Sequence, residues 1–252
     1  MGQLFLIPTP IAPGQMLEST ARTMLIKAWE QGPASSLFLI ETPKAGRAQW
    51  AQFGLPREAI SHLIAYNEQT RQELLPTVIQ ALLQGKTVYL MTDGGLPAFM
   101  DPGAELVRAC HEHKICVRAT PFPNSVLLAL ALSGFPHQQF IFEGALPRES
   151  QARLQALQEY WRRPSTVVLL DAPYRLQKIL QMLLEISMGR VGHREIFLAL
   201  DLQSNAERHL LFSSQDISSL QKELDRQLNN KYEFILVIGP LGLEHQRWSA
   251  QK

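Results

Sequence analysis

The chain has 252 residues, of which 46% are apolar and 19% are charged, and this composition is typical of a folded globular protein. Lysine and arginine total 24 against 23 acidic residues, so the formal net charge of +1 excludes a general positive field that would hold nucleic acid without a local basic patch. At this length about 70–75% of the unfolded chain's surface can be buried, and two domains of ordinary size are expected.

The two cysteines, Cys110 and Cys116, lack the second pair that a structural zinc site would need. We therefore predict no metal and interpret both as reduced, buried thiols of a cytoplasmic protein. The apolar run that begins at Leu4 is too short for a signal peptide, and no segment approaches the roughly 18 apolar residues that cross a membrane. No membrane association is expected.

Short apolar runs alternate with amphipathic segments in the first half of the chain, a pattern typical of βα units around a parallel sheet. The expected strands are Leu4–Ile7, Leu37–Ile40, Leu63–Tyr66, Thr87–Met91 and Ile115–Ala119. The expected helices are Met16–Glu30, Lys44–Phe53, Glu73–Leu83 and Ala104–Cys110, the last with Asp101 as N-cap and Pro102 at its first position.

The second half repeats the alternation, but its last strands follow one another without an obvious crossover helix, which predicts a mixed sheet. Expected strands are Gln139–Phe142, Thr166–Leu170, Glu195–Leu200, His209–Phe212 and Phe234–Ile238, and expected helices are Asn124–Ser133, Gln151–Trp161, Tyr174–Ser187 and Ser214–Leu228. The proline-dense Thr120–Pro123 segment predicts a domain boundary. The predicted fold is thus two α/β domains, 1–119 with a mainly parallel sheet and 120–240 with a mixed sheet, followed by a tail, 241–252.

Polar residues follow the predicted strands, where open α/β sheets bind ligands. They are Glu41, Asn67, Glu68, Asp93, Glu143, Asp171 and Asp201. No G-x-x-x-x-G-K-[ST] loop and no G-x-G-x-x-G fingerprint is present, so nucleoside triphosphate sites and ordinary dinucleotide dehydrogenases are disfavoured. Asp93 stands out, because it ends a buried strand and precedes two glycines, although a turn aspartate satisfied by its own loop is the alternative.

Several motifs fall in one order along the chain. Thr92–Gly103 (TDGGLPAFMDPG) resembles the S-D-A-G-T-P-x-x-S-D-P-G loop of the tetrapyrrole methylase superfamily, in its ribosomal RNA small-subunit methyltransferase I branch. Similar matches to that branch are Leu6–Ile11 (V-P-T-P-I-G), Glu41-Thr42 (E-D-T-R), Tyr66–Glu68 (E-H-N-E), Pro121–Ser125 (P-G-P-S-A), Phe142–Pro147 (Y-E-G-F-L-P) and Asp171–Arg175 (E-S-P-H-R).

The resemblance implies a two-domain methyltransferase, usually a homodimer, that holds S-adenosylmethionine in a cleft between its domains. By position, the cofactor would be lined on one side by Pro8, Asp93, Gly94, Gly95 and Ala98. On the other side it would be lined by Asn124, Ser125, Asp171 and Leu202. Glycines allow close approach of main-chain groups to such a cofactor, and in-line methyl transfer depends mostly on positioning.

The resemblance also implies an acceptor, the 2′-hydroxyl of a cytidine ribose in small-subunit ribosomal RNA, with RNA or the small ribosomal subunit as partner. Glu41, Glu68 or Asp201 could orient or deprotonate that hydroxyl, although acids near strand ends often cap helices instead. The family's arginine, glycine and lysine are replaced by Pro43, Phe122 and Ser204. A tetrapyrrole or other small-molecule methyltransferase, and a non-catalytic binding module that retains the fold, remain alternatives.

Aromatic and basic residues suggest a homodimer. Trp29, Trp50 and Trp161 lie on or near predicted surface helices, where tryptophan often forms contacts, although each could instead cover its own domain's core. A symmetric pair would also bring together arginines that could contact RNA: Arg148, Arg153, Arg162 and Arg163.

Overall fold

The computed structural model describes residues 2–122, 124–189, 194–219 and 232–242. The chain divides into two compact units, Met1–Asn124 and Ser125–Lys252. Each unit has its own five-stranded sheet and its own hydrophobic core. None of the helices in the described ranges is long and apolar enough to span a bilayer.

The first unit is a parallel α/β sheet with strand order β3-β2-β4-β1-β5. Its strands are β1 (Gln3–Ile7), β2 (Ser36–Ile40), β3 (Leu63–Ala65), β4 (Thr87–Met91) and β5 (Cys116–Ala119). Its helices are α1 (Ser19–Glu30), α2 (Pro43–Gln52), α3 (Arg71–Leu83) and α4 (Gly103–Glu112). Apolar clusters of buried residues pack against the sheet, one around Phe38 and Trp50 and another around Leu4 and Leu82.

The second unit has a mixed sheet with strand order β6-β7-β10-β8-β9, in which only β6 and β7 pair in parallel. Its strands are β6 (Phe140–Gly144), β7 (Thr166–Asp171), β8 (Glu195–Leu200), β9 (Arg208–Ser213) and β10 (Phe234–Ile238). Its helices are α5 (Ser125–Ser133), α6 (Ser150–Arg162) and α7 (Leu176–Ser187). The fold class predicted from the sequence, one mainly parallel and one mixed sheet, is confirmed.

Element ends differ from the predicted ones where a capping group intervenes. α1 begins at Ser19 rather than Met16, because the Glu18 carboxylate accepts hydrogen bonds from the Thr20 and Ala21 N–H groups, both at 2.9 Å. α4 begins at Gly103, so Pro102 precedes the helix instead of opening it. Of the predicted helix over 214–228, residues 214–216 form a 3₁₀ turn, 217–219 are helical, and 220–228 lie outside the described residues.

The prediction that both cysteines are buried is wrong for one of them. Cys110 is buried on α4, where burial raises its pKa to about 11, whereas Cys116 is exposed on β5. β5 is an edge strand that pairs only with β1 within the described sheet, so its residues have less protein around them than those of the central strands.

Candidate functional site

The parallel sheet of the first unit brings several of the predicted site residues to one edge. Pro8, Glu41, Asn67, Asp93 and Thr120 directly or nearly follow β1, β2, β3, β4 and β5. Because all five strands run in the same direction, their carboxyl ends meet at this edge, the usual place for a ligand in an open α/β sheet.

Asp93 is held through three of its polar groups by the segment that follows β2. Its N–H donates to Glu41 Oε2 at 3.1 Å, its Oδ1 accepts from the Thr42 N–H at 3.2 Å, and its carbonyl accepts from Gln49 Nε2 at 2.5 Å. These bonds fix the position of the turn but leave Asp93 Oδ2 without a partner among the described residues. The carboxylate is therefore positioned with one oxygen available for a ligand.

The glycine turn is joined to the end of β1. The Thr9 N–H donates to the Gly95 carbonyl at 2.9 Å, and the Gly95 N–H donates to the Thr9 carbonyl at 3.1 Å. Gly95 has φ +84°, a conformation that favours glycine, whereas Gly94 is exposed and a Cβ there would meet only the Pro10 carbonyl, at 3.8 Å. The segment after Pro8 and the Asp93 turn thus form one hydrogen-bonded piece with open space above Gly94.

The loop that follows the turn is strained. Ala98 and Met100 both have φ +66°, an uncommon conformation for residues with a side chain. The Asp101 carboxylate stabilises this loop by accepting from the Ala98 N–H at 2.9 Å and the Gly103 N–H at 2.7 Å. The prediction that Asp101 is the N-cap of α4 is wrong by one residue, because Pro102 occupies that position, although Asp101 does accept from the first N–H of the helix. Burial raises the pKa of Asp101 despite these hydrogen bonds.

Thr120 is a further candidate that the sequence analysis did not select. Its N–H donates to the Leu6 carbonyl at 3.2 Å, which places it at the carboxyl end of β5 beside β1. The residue is 4% exposed, and its buried hydroxyl has no hydrogen-bond partner in the part of the chain that the structure describes. A buried hydroxyl without a partner is costly, so this one marks a place where a polar ligand group would be stabilising.

Two of the three predicted catalytic carboxylates line one groove of about 460 Å³, together with Pro43, Asn67, Met100 and Asp101. Glu41 Oε2 accepts from the Thr92 hydroxyl at 2.5 Å in addition to the Asp93 N–H. Glu68 is exposed and pairs with Arg71 at 3.0 Å. Asn67 has a structural role, since its Oδ1 accepts from the Gln69 and Thr70 N–H groups before α3.

The remaining predicted residues lie in the second unit, except Asn124, which ends the first unit. Asp171, 6% exposed, accepts from the Leu146 N–H at 3.3 Å and pairs with Arg175, also at 3.3 Å. Asp201 Oδ1 accepts from the Glu233 N–H at 2.9 Å, and the pKa of Glu233 is raised by burial and by the charge of Asp201. These contacts give both aspartates structural partners.

The order of strands in the second sheet still places these residues at one edge. Phe234, the first residue of β10, is paired with Asp171 on one side and with Leu200 on the other. Because β7 and β8 both run antiparallel to β10, they end at the same edge, where Asp171 is the last residue of β7 and the buried Leu202 follows β8. Ser125 is the first residue of α5, and Asn124 precedes it.

Two of the four arginines predicted to form a basic patch are engaged, whereas Arg148 and Arg162 are exposed. Arg153 is buried and donates to the Pro147 and Arg148 carbonyls, and Arg163 pairs with Glu143 at 3.1 Å and Glu159 at 2.8 Å. The alternative interpretation of two tryptophans is the correct one, since Trp50 and Trp161 are buried in the cores of their own units.

Comparison with known proteins agrees with this architecture. The family model for Tetrapyrrole (Corrin/Porphyrin) Methylases matches residues 23–239, and the chain belongs to this family. It is therefore an S-adenosylmethionine-dependent methyltransferase, as its motifs predicted.

Similar curated proteins share one name, "Ribosomal RNA small subunit methyltransferase I". The protein from Thermotoga maritima is 31% identical over 80% of this chain and 84% of its own length. The Vibrio cholerae protein is 31% identical over 81% of this chain and 66% of its own length. The Halalkalibacterium halodurans protein is 29% identical over 94% of this chain and 75% of its own length.

Solved structures share the fold at low sequence identity. A cobalt precorrin-4 methyltransferase of cobalamin biosynthesis is 14% identical, with a TM-score of 0.57 over 94% of both chains. A uroporphyrin-III C-methyltransferase from Thermus thermophilus, complexed with S-adenosylhomocysteine, is 16% identical, with a TM-score of 0.51 over 94% of this chain and 97% of its own. These likenesses confirm the predicted fold.

Proposed function

We propose that this enzyme methylates the 2′-hydroxyl of a cytidine ribose in small-subunit ribosomal RNA. The observation that carries the proposal is the similarity to proteins named as small-subunit ribosomal RNA methyltransferases, which extends over 80–94% of the chain in the three compared. The likeness to corrin and porphyrin enzymes supports the fold alone, because the sequence identity is low.

On the donor side, the residues present suit S-adenosylmethionine. Asp93 Oδ2 is an available acceptor for hydroxyl or amino groups, the space above Gly94 admits a ligand, and the partnerless Thr120 hydroxyl can donate or accept one hydrogen bond. Pro8, Gly95 and Ala98 would complete this side. Asn124, the last residue of the first unit, and Ser125, Asp171 and Leu202 of the second unit remain further proposed cofactor residues.

On the acceptor side, Glu41 is the best placed of the three carboxylates to orient a ribose hydroxyl. It lines the groove, and its Oε2 is fixed by the Thr92 hydroxyl and the Asp93 N–H, so its Oε1 is held in place as an acceptor. Glu68 lines the same groove but is more exposed and is paired with Arg71. Asp201 lies in the second unit, where Glu233 engages it, and we assign it a structural role.

Bound S-adenosylmethionine supplies a methyl group on a positively charged sulfur. For the acceptor oxygen to take the methyl group, its hydroxyl must give up a proton, and Glu41 Oε1 would receive that proton. Glu41 would accept a hydrogen bond from the ribose hydroxyl and so orient a lone pair of the hydroxyl oxygen towards the methyl group. Asp93 and the glycine turn would hold the S-adenosylmethionine. Such positioning accounts for most of the catalysis in an in-line displacement.

The negative charge of the groove favours a ribose acceptor over a tetrapyrrole. Glu41, Glu68 and Asp101 line the groove, and the groove has no lysine or arginine among its lining residues. A porphyrin that carries several carboxylates would be repelled there, whereas a ribose and its base are neutral and can enter if the phosphates remain outside.

Two measurements test the proposal. Calorimetry should detect binding of S-adenosylmethionine and S-adenosylhomocysteine, and Asp93→Ala should weaken both by at least about tenfold, because a positioned hydrogen-bond acceptor is lost. Asp216→Ala is a control in the second unit. Absence of cofactor binding would favour a non-catalytic module.

Mass mapping of ribosomal RNA from a strain that lacks the protein should show one missing ribose methyl group. An unchanged map would exclude the RNA acceptor.

We also propose that the chain forms a homodimer and acts in the cytoplasm, where ribosomal RNA would be its substrate. Support for a dimer now comes from α5 rather than from the tryptophans. This helix is apolar along its length, SVLLALALS, yet Leu132 remains 40% exposed. Exposed leucines on an uncharged helix are typical of a contact surface.

A further inference from the structure

Helix α2 differs in charge from the other described helices. It carries two basic residues, Lys44 and Arg47, and no acidic residue. By contrast α1, α3, α4, α6 and α7 each include at least one glutamate, and α5 has no charged residue. The positive charge of α2 is therefore not offset within the helix.

Both basic side chains are exposed, and no carboxylate of the described residues lies within ion-pair distance of either. They are three positions apart, so they project from the same side of the helix. Arg22 adds a third cation at the other end of α2, where its guanidinium donates to the Phe53 carbonyl at 2.9 Å and the Gly54 carbonyl at 3.2 Å. The arginines Arg153 and Arg163 of the second unit are, in contrast, buried or paired.

The position of α2 connects this charge to the acceptor groove. Thr42 and Pro43 line the groove, Pro43 is the first residue of α2, and Lys44 follows it directly. The groove itself carries Glu41, Glu68 and Asp101, which would repel a phosphate. A nucleotide whose ribose occupied the groove would therefore have its phosphates outside the groove, near Lys44 and Arg47 of α2.

We propose that the exposed side of α2, through Lys44 and Arg47, is the surface that binds the phosphate backbone of the RNA acceptor beside the modified nucleotide. This proposal rests on the proposed function and names the surface by which the same site takes its substrate. The acidic groove selects the neutral ribose and base, and the basic helix holds the flanking phosphates. Such contacts give affinity and register without reading the base sequence.

The test compares three double variants on purified small ribosomal subunits that lack the modification. Lys44→Ala with Arg47→Ala removes both charges, Lys44→Arg with Arg47→Lys keeps them, and Lys27→Ala with Arg118→Ala removes two exposed charges from α1 and β5. Binding is measured over a potassium chloride series, and calorimetry with S-adenosylmethionine verifies that each variant retains its folded donor site.

The α2 alanine pair should weaken binding at least tenfold and lower the slope of log affinity against log salt by roughly 1.4–1.8, since each lost phosphate contact contributes about 0.7–0.9. The charge-keeping pair and the control pair should bind the ribosomal subunits as the unaltered enzyme does. The affinity of every variant for S-adenosylmethionine should be unchanged. An unaltered slope in the α2 alanine pair, or an equal loss in the control pair, would overturn the inference while methylation by the unaltered enzyme upheld the proposed function. Failure of the unaltered enzyme to bind or methylate the subunits would instead overturn the proposed function itself, and the inference with it.

Discussion

At Thr120, the effect of one side chain on stability and its effect on ligand affinity can be measured separately. Replacement by valine keeps the shape of the side chain and removes a buried hydroxyl that has no partner. We expect Thr120→Val to leave the free energy of unfolding unchanged or to raise it by about 1 kcal/mol, because an unsatisfied polar group is lost. The affinity for S-adenosylmethionine should fall at the same time.

Urea unfolding and calorimetry measure the two effects of Thr120→Val independently. Thr166→Val is the matched control, because the Thr166 hydroxyl donates to the Pro136 carbonyl at 2.6 Å and its loss should lower stability. A destabilised Thr120→Val protein with undiminished donor affinity would show that this hydroxyl serves the fold.

Arg194 is a buried cation without a carboxylate partner among the described residues. Its guanidinium donates to the carbonyls of Gly239 at 2.6 Å, Trp161 at 2.6 Å, Arg163 at 2.7 Å and Ser165 at 3.2 Å, and burial lowers its pKa to about 10. Arg194→Met should therefore lower the free energy of unfolding by about 3 kcal/mol or more, because several carbonyls lose their donors at once. Chemical denaturation measures this, with the exposed Arg162→Met as control; equal stability of the two variants would contradict the assignment.

At the scale of the helix, Glu18 explains both where α1 begins and how its stability depends on pH. The hydrogen bond from Thr20 is the main cause that lowers the Glu18 pKa from 4.5 to about 2. A carboxyl whose pKa is lower in the folded state stabilises that state above about pH 4.5 and loses this contribution as the pH falls towards 2.

We expect Glu18→Gln to lower the free energy of unfolding at pH 7 by about 0.5–1 kcal/mol, a value limited by exposure of the side chain to water. The difference from the unaltered protein should shrink below pH 4.5. Glu30→Gln, at the opposite end of α1, is the control and should be neutral or slightly stabilising, because an acid there faces the negative end of the helix dipole. A deficit for Glu18→Gln that stayed constant down to pH 3 would contradict the capping role.

Strands were easier to predict than turns because their signals are local. Thr87–Met91, Glu195–Leu200 and Phe234–Ile238 have the predicted bounds, since each is an apolar run between polar or glycine-containing segments. The 3₁₀ helix Arg57–His62 was not predicted, because six residues are too few to show a periodic pattern. The Cys116 error has another cause: whether a strand lies at an edge depends on strand order, which neighbouring residues do not encode.

The candidate site was predictable only in part, because its motif is local whereas the contacts that hold it join distant residues. The motif around Asp93 was visible in the sequence. The hydrogen bonds that hold it come from Thr42 and Gln49, which lie 51 and 44 positions away from it along the chain. Thr120 carries no motif of its own and is noticeable only because the structure leaves its hydroxyl without a partner. Arg153 looked like a surface cation until its carbonyl partners were known.

For the molecule as a whole, the proposed homodimer has a direct test. Light scattering at micromolar concentration should give a mass near twice the 28.4 kDa of one chain. Leu132→Arg should shift that mass towards a single chain, because it places a charge on the exposed apolar side of α5. Lys178→Ala on α7 is the control, and a mass of one chain for the unaltered protein would refute the dimer.

The interior position of β1 in its sheet has a consequence for biosynthesis. β1 is made before both of its neighbours, β4 and β5, which follow it along the chain by about eighty and more than a hundred residues. While the ribosome is still adding those residues, β2 and β3 can pair with each other, but the apolar β1 has no strand to join. Chaperones that hold nascent apolar segments should therefore engage the β1 segment until β5 has emerged, after which the sheet edge that carries Pro8 and Asp93 can form.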